Sequence, residues 1–171
     1  VGILEPRKNQ TFLLDVSERL WRSGLAFELH LVGRVNPLFG RPILGRIREL
    51  QRTWRCLHYH GEADDALLRR LYGEACISVF PTLAEGCGLP LLESLWQGVP
   101  CVCSDLPVLR ENADGGGCLA VTPGDAEAWS RALRSVLAEG GGYPALAAAA
   151  AGRRLPTWAE AAERILSRLA S

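Results

Sequence analysis

The residues best suited to chemistry fall in two short loops. Lys8 is the only lysine in the chain; the other eighteen basic residues are arginines. An ammonium is a compact point charge, whereas a guanidinium is a broad planar fork. A lone lysine in an arginine-rich chain therefore suits phosphate oxygens pressed against backbone, and the plainer alternative is a solvated basic loop, Glu5-Pro6-Arg7-Lys8-Asn9. The second loop is Glu85-Gly86-Cys87-Gly88-Leu89-Pro90, with Glu93 following inside an apolar run. Gly86 and Gly88 let backbone come close to a ligand. Pro90 suits the first position of a helix, so a helix is predicted to start near Leu89 with its free N–H groups facing any anion placed there. That dipole favours an anion by about 0.3–1 kcal/mol. A tight strand-to-helix turn explains one acidic residue but not two. Glu93 is expected in the first helical turn among leucines, where an ionised carboxylate needs donors such as the vicinal hydroxyls of a sugar, with Glu85 nearer the mouth.

These loops must be held by a scaffold, and the hydrophobic pattern predicts which. Short β-rich apolar runs occur at Val1–Leu4, Phe27–Val32, Cys56–His60, Ile77–Pro81, Val99–Cys103 and Cys118–Val121. Helical patterns lie between and after them, at Gln10–Ser23, Ile43–Arg52, Asp65–Glu74, Pro90–Gln97, Ala126–Glu139, Pro144–Arg153 and Pro156–Ala170. Strand–helix alternation of this kind implies right-handed crossovers and a parallel sheet. The expected fold is α/β, a doubly wound Rossmann-like sheet of about six strands in the order 3-2-1-4-5-6, with helices on both faces. Strands one and four then meet at the switch point, where ligands bind beyond the carboxyl ends. The Lys8 loop follows strand one and the Glu85 loop follows strand four, so both are expected at that point. Two glycine triplets, Gly115–Gly117 and Gly140–Gly142, read as connectors.

Composition excludes several classes. With 171 residues, 48% hydrophobic and 22% charged, the chain reads as one globular domain over 1–171. No apolar run approaches the roughly 20 residues of a membrane helix, and a zero formal charge disfavours a nucleic-acid binder that relies on bulk electrostatics. The six cysteines form no C-x-x-C pair, which fits a reducing, cytoplasmic setting. The chain has no methionine and opens on what reads as the end of a strand, so it is expected to be part of a longer protein.

The stretch "FPTLAEGCGLPLLESLWQGVPCVCSDLPVLREN" resembles the pattern of the group 1 glycosyltransferases of GT-B fold, including their E-x7-E signature at Glu85 and Glu93. "VGILEPRKN", "LVG" at Leu31–Gly33, "HGEADDALLRRLY" and "PGD" at Pro123–Asp125 resemble further blocks, so the likeness runs from Val1 to about Leu137. The resemblance implies the C-terminal, nucleotide-binding half of a retaining enzyme. That enzyme transfers a sugar from a nucleoside diphosphate sugar, such as GDP-mannose or a UDP-sugar, to a hydroxyl acceptor held by an N-terminal domain. It further implies catalytic roles for Lys8 on the diphosphate and Glu85 on the transferred sugar. Gly86, Cys87, Gly88 and Leu89 would offer backbone to the phosphates, Glu93 would accept from the ribose, and Gly61 and Glu62 would line the base. Ile3 stands where many members carry an arginine, so one diphosphate cation is missing unless Arg7 supplies it; Cys87 replaces the usual aromatic. No cofactor or metal is implied, since the leaving phosphate departs as the acceptor enters on the same face. The setting implied is bacterial polysaccharide or glycolipid synthesis, with peripheral membrane association of the full-length protein, and this half alone is expected to be inactive.

Two other readings compete: a non-catalytic sugar-nucleotide-binding module, and a sugar-nucleotide epimerase of the same architecture. A dinucleotide enzyme lacks its G-x-G-x-x-G and a P-loop enzyme its G-K-[ST]. His58 and His60, and Cys101 and Cys103, alternate along strands; zinc needs four ligands, so they are read as a strand face and a buried strand.

Overall fold

The computed structural model describes residues 1–138 and 141–169; Glu139, Gly140 and Ala170, which the sequence pattern placed in helix ends and a connector, lie outside them. Among the described residues, five parallel strands form two sheets. The first pairs β1 (Leu29–Leu31) with β2 (Leu57–Tyr59), Leu29 opposite Leu57. The second orders β3 (Ser78–Phe80), β4 (Cys101–Ser104) and β5 (Cys118–Val121), with Val102 between Val79 and Leu119.

The expected sixth strand, Val1–Leu4, is the correction. It runs beside β1, with Gly2 N–H donating to Val32 O at 2.8 Å and Leu4 N–H to Arg34 O at 2.8 Å. It makes only an isolated bridge, Leu4 to Val35, so among the described residues it is an extended segment without a ladder. The halves 3-2-1 and 4-5-6 of the expected order are therefore present, but the join between strands one and four is packing and loop contacts rather than ladder hydrogen bonds. A cavity of about 480 Å³ separates β1 from β3, lined mostly by apolar groups such as Leu13, Leu71, Val79 and Leu133.

Helices cover both faces, and β4 shows why its sequence is apolar throughout. Its four residues are all buried. Val102 enters one core with Leu4, with α1 (Gln10–Arg22), α2 (Arg41–Thr53) and α6 (Ala126–Leu137), and with β1 and β2. Cys101 and Cys103 enter the other, with Leu91 and Leu95 of α4 (Leu89–Trp96), Leu109 of α5 (Pro107–Ala113) and Ala150 of α7 (Tyr143–Ala151). This two-sided burial is what a strand covered by helices on both faces requires. The cysteines act there as small apolar side chains; a hydrogen bond to Cys101, together with burial, pushes the Cys103 thiol well up.

Helix starts follow local chemistry. Asp64 accepts from Leu67 N–H at 2.8 Å to open α3 (Asp65–Glu74), and Asp125 accepts from Ala128 N–H at 2.9 Å to open α6. The sequence pattern left 104–114 unassigned; that stretch holds α5, a seven-residue helix with one buried residue, Leu109. The final helix, α8 (Trp158–Leu169), buries no residue. Among the described residues no helix is long and apolar enough to cross a membrane.

Candidate functional site

The two loops singled out by their chemistry meet. Residues Pro6–Lys8 form one turn of 3-10 helix, closed by Asn9 in the left-handed region at φ 57°. That turn aims Lys8 and Arg7 at the loop after β3. Lys8 Nζ donates to Glu85 Oε1 at 2.5 Å, and Arg7 Nη1 donates to the same oxygen at 3.0 Å and to Ala84 O at 2.7 Å. Arg7 Nη2 also donates to Glu5 Oε1 at 2.7 Å. The backbone is stitched as well: Leu83 N–H donates to Arg7 O at 2.9 Å.

Thr82, fully buried, sits at the centre of this junction. Its hydroxyl lies 3.0 Å from Glu85 Oε1, 3.1 Å from Arg7 O and 3.0 Å from Ala84 O. Glu85 is thus a carboxylate with three donors aimed at one oxygen. Burial works to raise its pKa, but the hydrogen bonds from Lys8 and Thr82 and the charges of Lys8 and Arg7 outweigh it, so the carboxyl titrates below its ordinary 4.5. Lys8 is 11% exposed and Glu85 8%, while Arg7 is 45% exposed and opens to solvent. The Lys8 ammonium stands 5.0 Å from the centre of the Phe80 ring, within cation–π range, and its stem passes beside Gly2.

One glycine of the junction is required by close packing. Gly33, at φ +144°, lies so near the first segment that a Cβ there would stand 2.0 Å from Gly2 O. Gly33 N–H in turn donates to Gly61 O at 2.7 Å. The first segment and the loops after β1 and β2 are thereby tied together. Glu62 reaches Arg34 only loosely, at 3.9 Å, with both side chains exposed.

Beyond Glu85 the loop runs through exposed Gly86 and Cys87 to Gly88, the residue that caps α4 in the left-handed region at φ 72°. Asn112 of α5 fixes it by donating to Cys87 O at 2.6 Å. Leu91 and Leu92 N–H groups already bond to Gly88 O. Leu89 is exposed at the start of the helix.

Glu93 needs a correction. It lies in the second turn of α4, not the first, and it is exposed. The inward face of α4 is Leu91, Ser94 and Leu95; Leu89, Glu93 and Trp96 form the outward face at helical spacing. The apolar neighbours in sequence do not surround the carboxylate in space. The Glu93 carboxylate makes no hydrogen bond or ion pair among the described residues.

Of the residues singled out in the sequence, then, the structure brings Arg7, Lys8 and Glu85 into contact and carries Gly86, Cys87, Gly88 and Leu89 on the same loop. Gly61 joins only through Gly33, and Glu62 and Glu93 make no contact with the cluster. Sequence reasoning missed Thr82, Glu5 and Asn112. Only the first carried a signal, a hydroxyl residue just after the apolar run of β3 and three positions before Glu85.

Known proteins share this fold. Sucrose-phosphate synthase from Thermosynechococcus elongatus superposes over 88% of this chain with a TM-score of 0.71 at 24% identity, using 38% of that chain. Anabaena HepE, solved in complex with UDP, does so over 88% of this chain with a TM-score of 0.70 at 18% identity, using 42% of that chain. The fold is therefore one half of the GT-B architecture. The chain belongs to the group 1 glycosyl transferases, whose family model matches residues 1–139. The O-antigen chain mannosyltransferase B of Escherichia coli is 34% identical over 131 residues, which is 76% of this chain and 34% of that protein. The serotype-specific mannosyltransferase WbdA of Escherichia coli is 31% identical over 113 residues, 66% of this chain and 14% of that protein. The chain thus spans about a third or less of the length of these relatives.

Proposed function

We propose that this domain binds the donor of a retaining glycosyltransferase, a nucleoside diphosphate sugar, and serves transfer of its hexose to a hydroxyl acceptor. The relatives, which are mannosyltransferases by name, favour mannose and polysaccharide synthesis. The observation that carries the reading is the junction of Lys8, Arg7 and Glu85 at the carboxyl ends of the strands. It places two cations, one nearly buried and one open, in front of a loop that leads into a helix N-terminus.

In this reading Lys8 and Arg7 take the diphosphate oxygens, with Arg7 supplying the charge that Ile3 does not. Backbone at Gly88 and Leu89 faces the same group. Stabilising charge on the departing diphosphate is a general route to large rate effects. Glu85 has one oxygen held by Lys8, Arg7 and Thr82, which orients the carboxylate; its other oxygen is the one to accept from the transferred sugar's hydroxyls. Glu93, exposed on the outward face of α4, would accept from the ribose, and Gly61 and Glu62 would border the base. The acceptor would be held by a further domain, which positions it against the anomeric carbon; positioning of that kind is worth about 7–11 kcal/mol of a barrier.

Titration calorimetry with GDP, UDP and the matching sugar nucleotides tests this. Lys8→Ala should weaken the preferred diphosphate by about 1.5–3 kcal/mol, the value of a charged hydrogen bond. Lys8→Arg should restore only part, because the fork differs in shape from the ammonium. Glu93→Gln should weaken bare nucleotide and donor alike, whereas Glu85→Gln should hurt the donor more. This chain alone should bind donor without acceptor-dependent transfer. Unchanged diphosphate affinity in Lys8→Ala would refute the assignment.

A further inference from the structure

The chain contains three histidines, and the fold gathers all of them on one face of the β1–β2 pair. The parallel register sets His30 directly opposite His58. His60 lies two residues on, on the same side, and Glu28 precedes His30 by two. The His30 and His58 rings are 4.6 Å apart, and those of His30 and His60 5.2 Å. In sequence His58 and His60 look like one strand face short of ligands. The third and fourth groups come from a strand almost 30 residues away.

We propose that Glu28, His30 and His58 form a binding site for one divalent transition-metal ion of the zinc class. One ligand atom from each of the three lies within 4.8 Å of the others. Glu28 Oε2 is 3.1 Å from His30 Nε2 and 3.6 Å from His58 Nε2. Tetrahedral zinc with bonds of about 2.0–2.1 Å separates its ligands by about 3.3 Å, so two edges of the site already bracket the required length.

The hydrogen bonding favours an ion over a purely structural cluster. His58 Nε2 is shielded from solvent and has no hydrogen-bond partner among the described residues. A buried imidazole nitrogen left unpartnered is costly, and a metal at the carboxylate would satisfy it. His30 Nδ1 lies 3.0 Å from His60 Nε2. When that Nδ1–H donates to His60, His30 Nε2 carries the free lone pair a metal needs. His60 is then a positioning residue that fixes the tautomer, the role that hydrogen-bond acceptors behind metal-bound histidines play. Glu28, 67% exposed, leaves a path for the ion and for a water as fourth ligand. Imidazole with carboxylate suits zinc and its neighbours, whereas magnesium and calcium prefer all-oxygen sites. The ion would clamp β1 to β2, whose following loops meet at Gly33 and Gly61.

The test is titration of ZnCl2 into the chain carrying Cys76→Ser and Cys87→Ser, which removes the exposed thiols as competing ligands. One Zn²⁺ per chain should bind, with no heat from MgCl2. Glu28→Gln and His58→Gln should each weaken zinc by about 100-fold, and His60→Gln by about tenfold, within the range for groups that orient ligands. Zinc should raise the melting temperature of the parent and not that of Glu28→Gln. That exposed substitution leaves folding intact and decides the matter if His58→Gln does not fold. Absence of zinc binding by the parent, or binding undiminished in Glu28→Gln, would overturn the site.

Discussion

Replacing Lys8 by Met removes the ammonium while keeping the methylene stem beside Gly2 and near Phe80, so packing is little disturbed. Breaking a buried pair from one side costs about 3–5 kcal/mol when the other charge is left alone. Here Glu85 would keep Arg7 at 3.0 Å and Thr82 at 3.0 Å. The loss should therefore fall to that of one hydrogen bond to a charged group, about 1.5–3 kcal/mol. At about 2–4 °C per kcal/mol for a chain of this size, the melting temperature should drop by about 3–12 °C. A double-mutant cycle with Glu85→Gln, read by urea unfolding, isolates the pair from the packing around it. Because both side chains are nearly buried, the coupling should survive about 1 M salt, where the Debye length is about 3 Å and exposed charges are screened. Energies that add to within about 0.5 kcal/mol would mean the pair contributes nothing. A coupling that vanishes in salt would mean the pair is solvated, and the buried junction argued here would be wrong.

The same pair sets a pH dependence. Glu85 titrates below 4.5 in the folded chain, so its contribution is fully present above pH 4.5 and fades as pH falls through the lower folded value; the stability gap between the parent and Lys8→Met should narrow over that window in thermal melts. Gly33→Ala places a Cβ 2.0 Å from Gly2 O at φ +144° and should cost about 2–5 kcal/mol from crowding and backbone strain together, as urea unfolding will measure. Gly24→Ala, at φ +86° with nothing within 4 Å, should cost only the strain, about 1–2 kcal/mol.

What the sequence made legible was whatever repeats locally. The buried strands could be read because residues such as Val102 and its cysteine neighbours are apolar on both faces. The helices starting at Asp65 and Ala126 could be read from their local pattern, and each proves to be capped within three residues, by Asp64 on Leu67 N–H and by Asp125 on Ala128 N–H. The convergence of the Lys8 and Glu85 loops followed from the order of elements alone. Three things were not legible, each for a separate physical reason. Helix α5 has seven residues and one buried side chain, too little for a helical period to register. Glu93 sits among leucines in sequence, but composition does not say which face of α4 is packed, and the leucine face turns the carboxylate outward. Thr82, Glu5 and the histidine cluster are joined by contacts across strands, with partners as far as 75 residues apart.

The Glu85 junction also explains why the site needs no join between the two sheets. Parallel strands ordinarily transmit position through their ladders, yet here the segment 1–4 and β3 share no ladder among the described residues. The loops are instead locked by Leu83 N–H on Arg7 O and by Lys8 and Arg7 on Glu85. Each of these bonds crosses from one loop to the other at the carboxyl ends, where geometry matters for a bound phosphate. One carboxylate oxygen accepting from two cations and a hydroxyl fixes three side chains together. In the proposed reading a diphosphate reaching Lys8 and Arg7 would draw on the same donors, so donor binding and the cohesion of the two halves would be coupled through Glu85. Removing Lys8, the shared cation, should therefore loosen both at once, whereas strengthening its bond to Glu85 should not improve binding, because the cation would then be less free to turn toward phosphate.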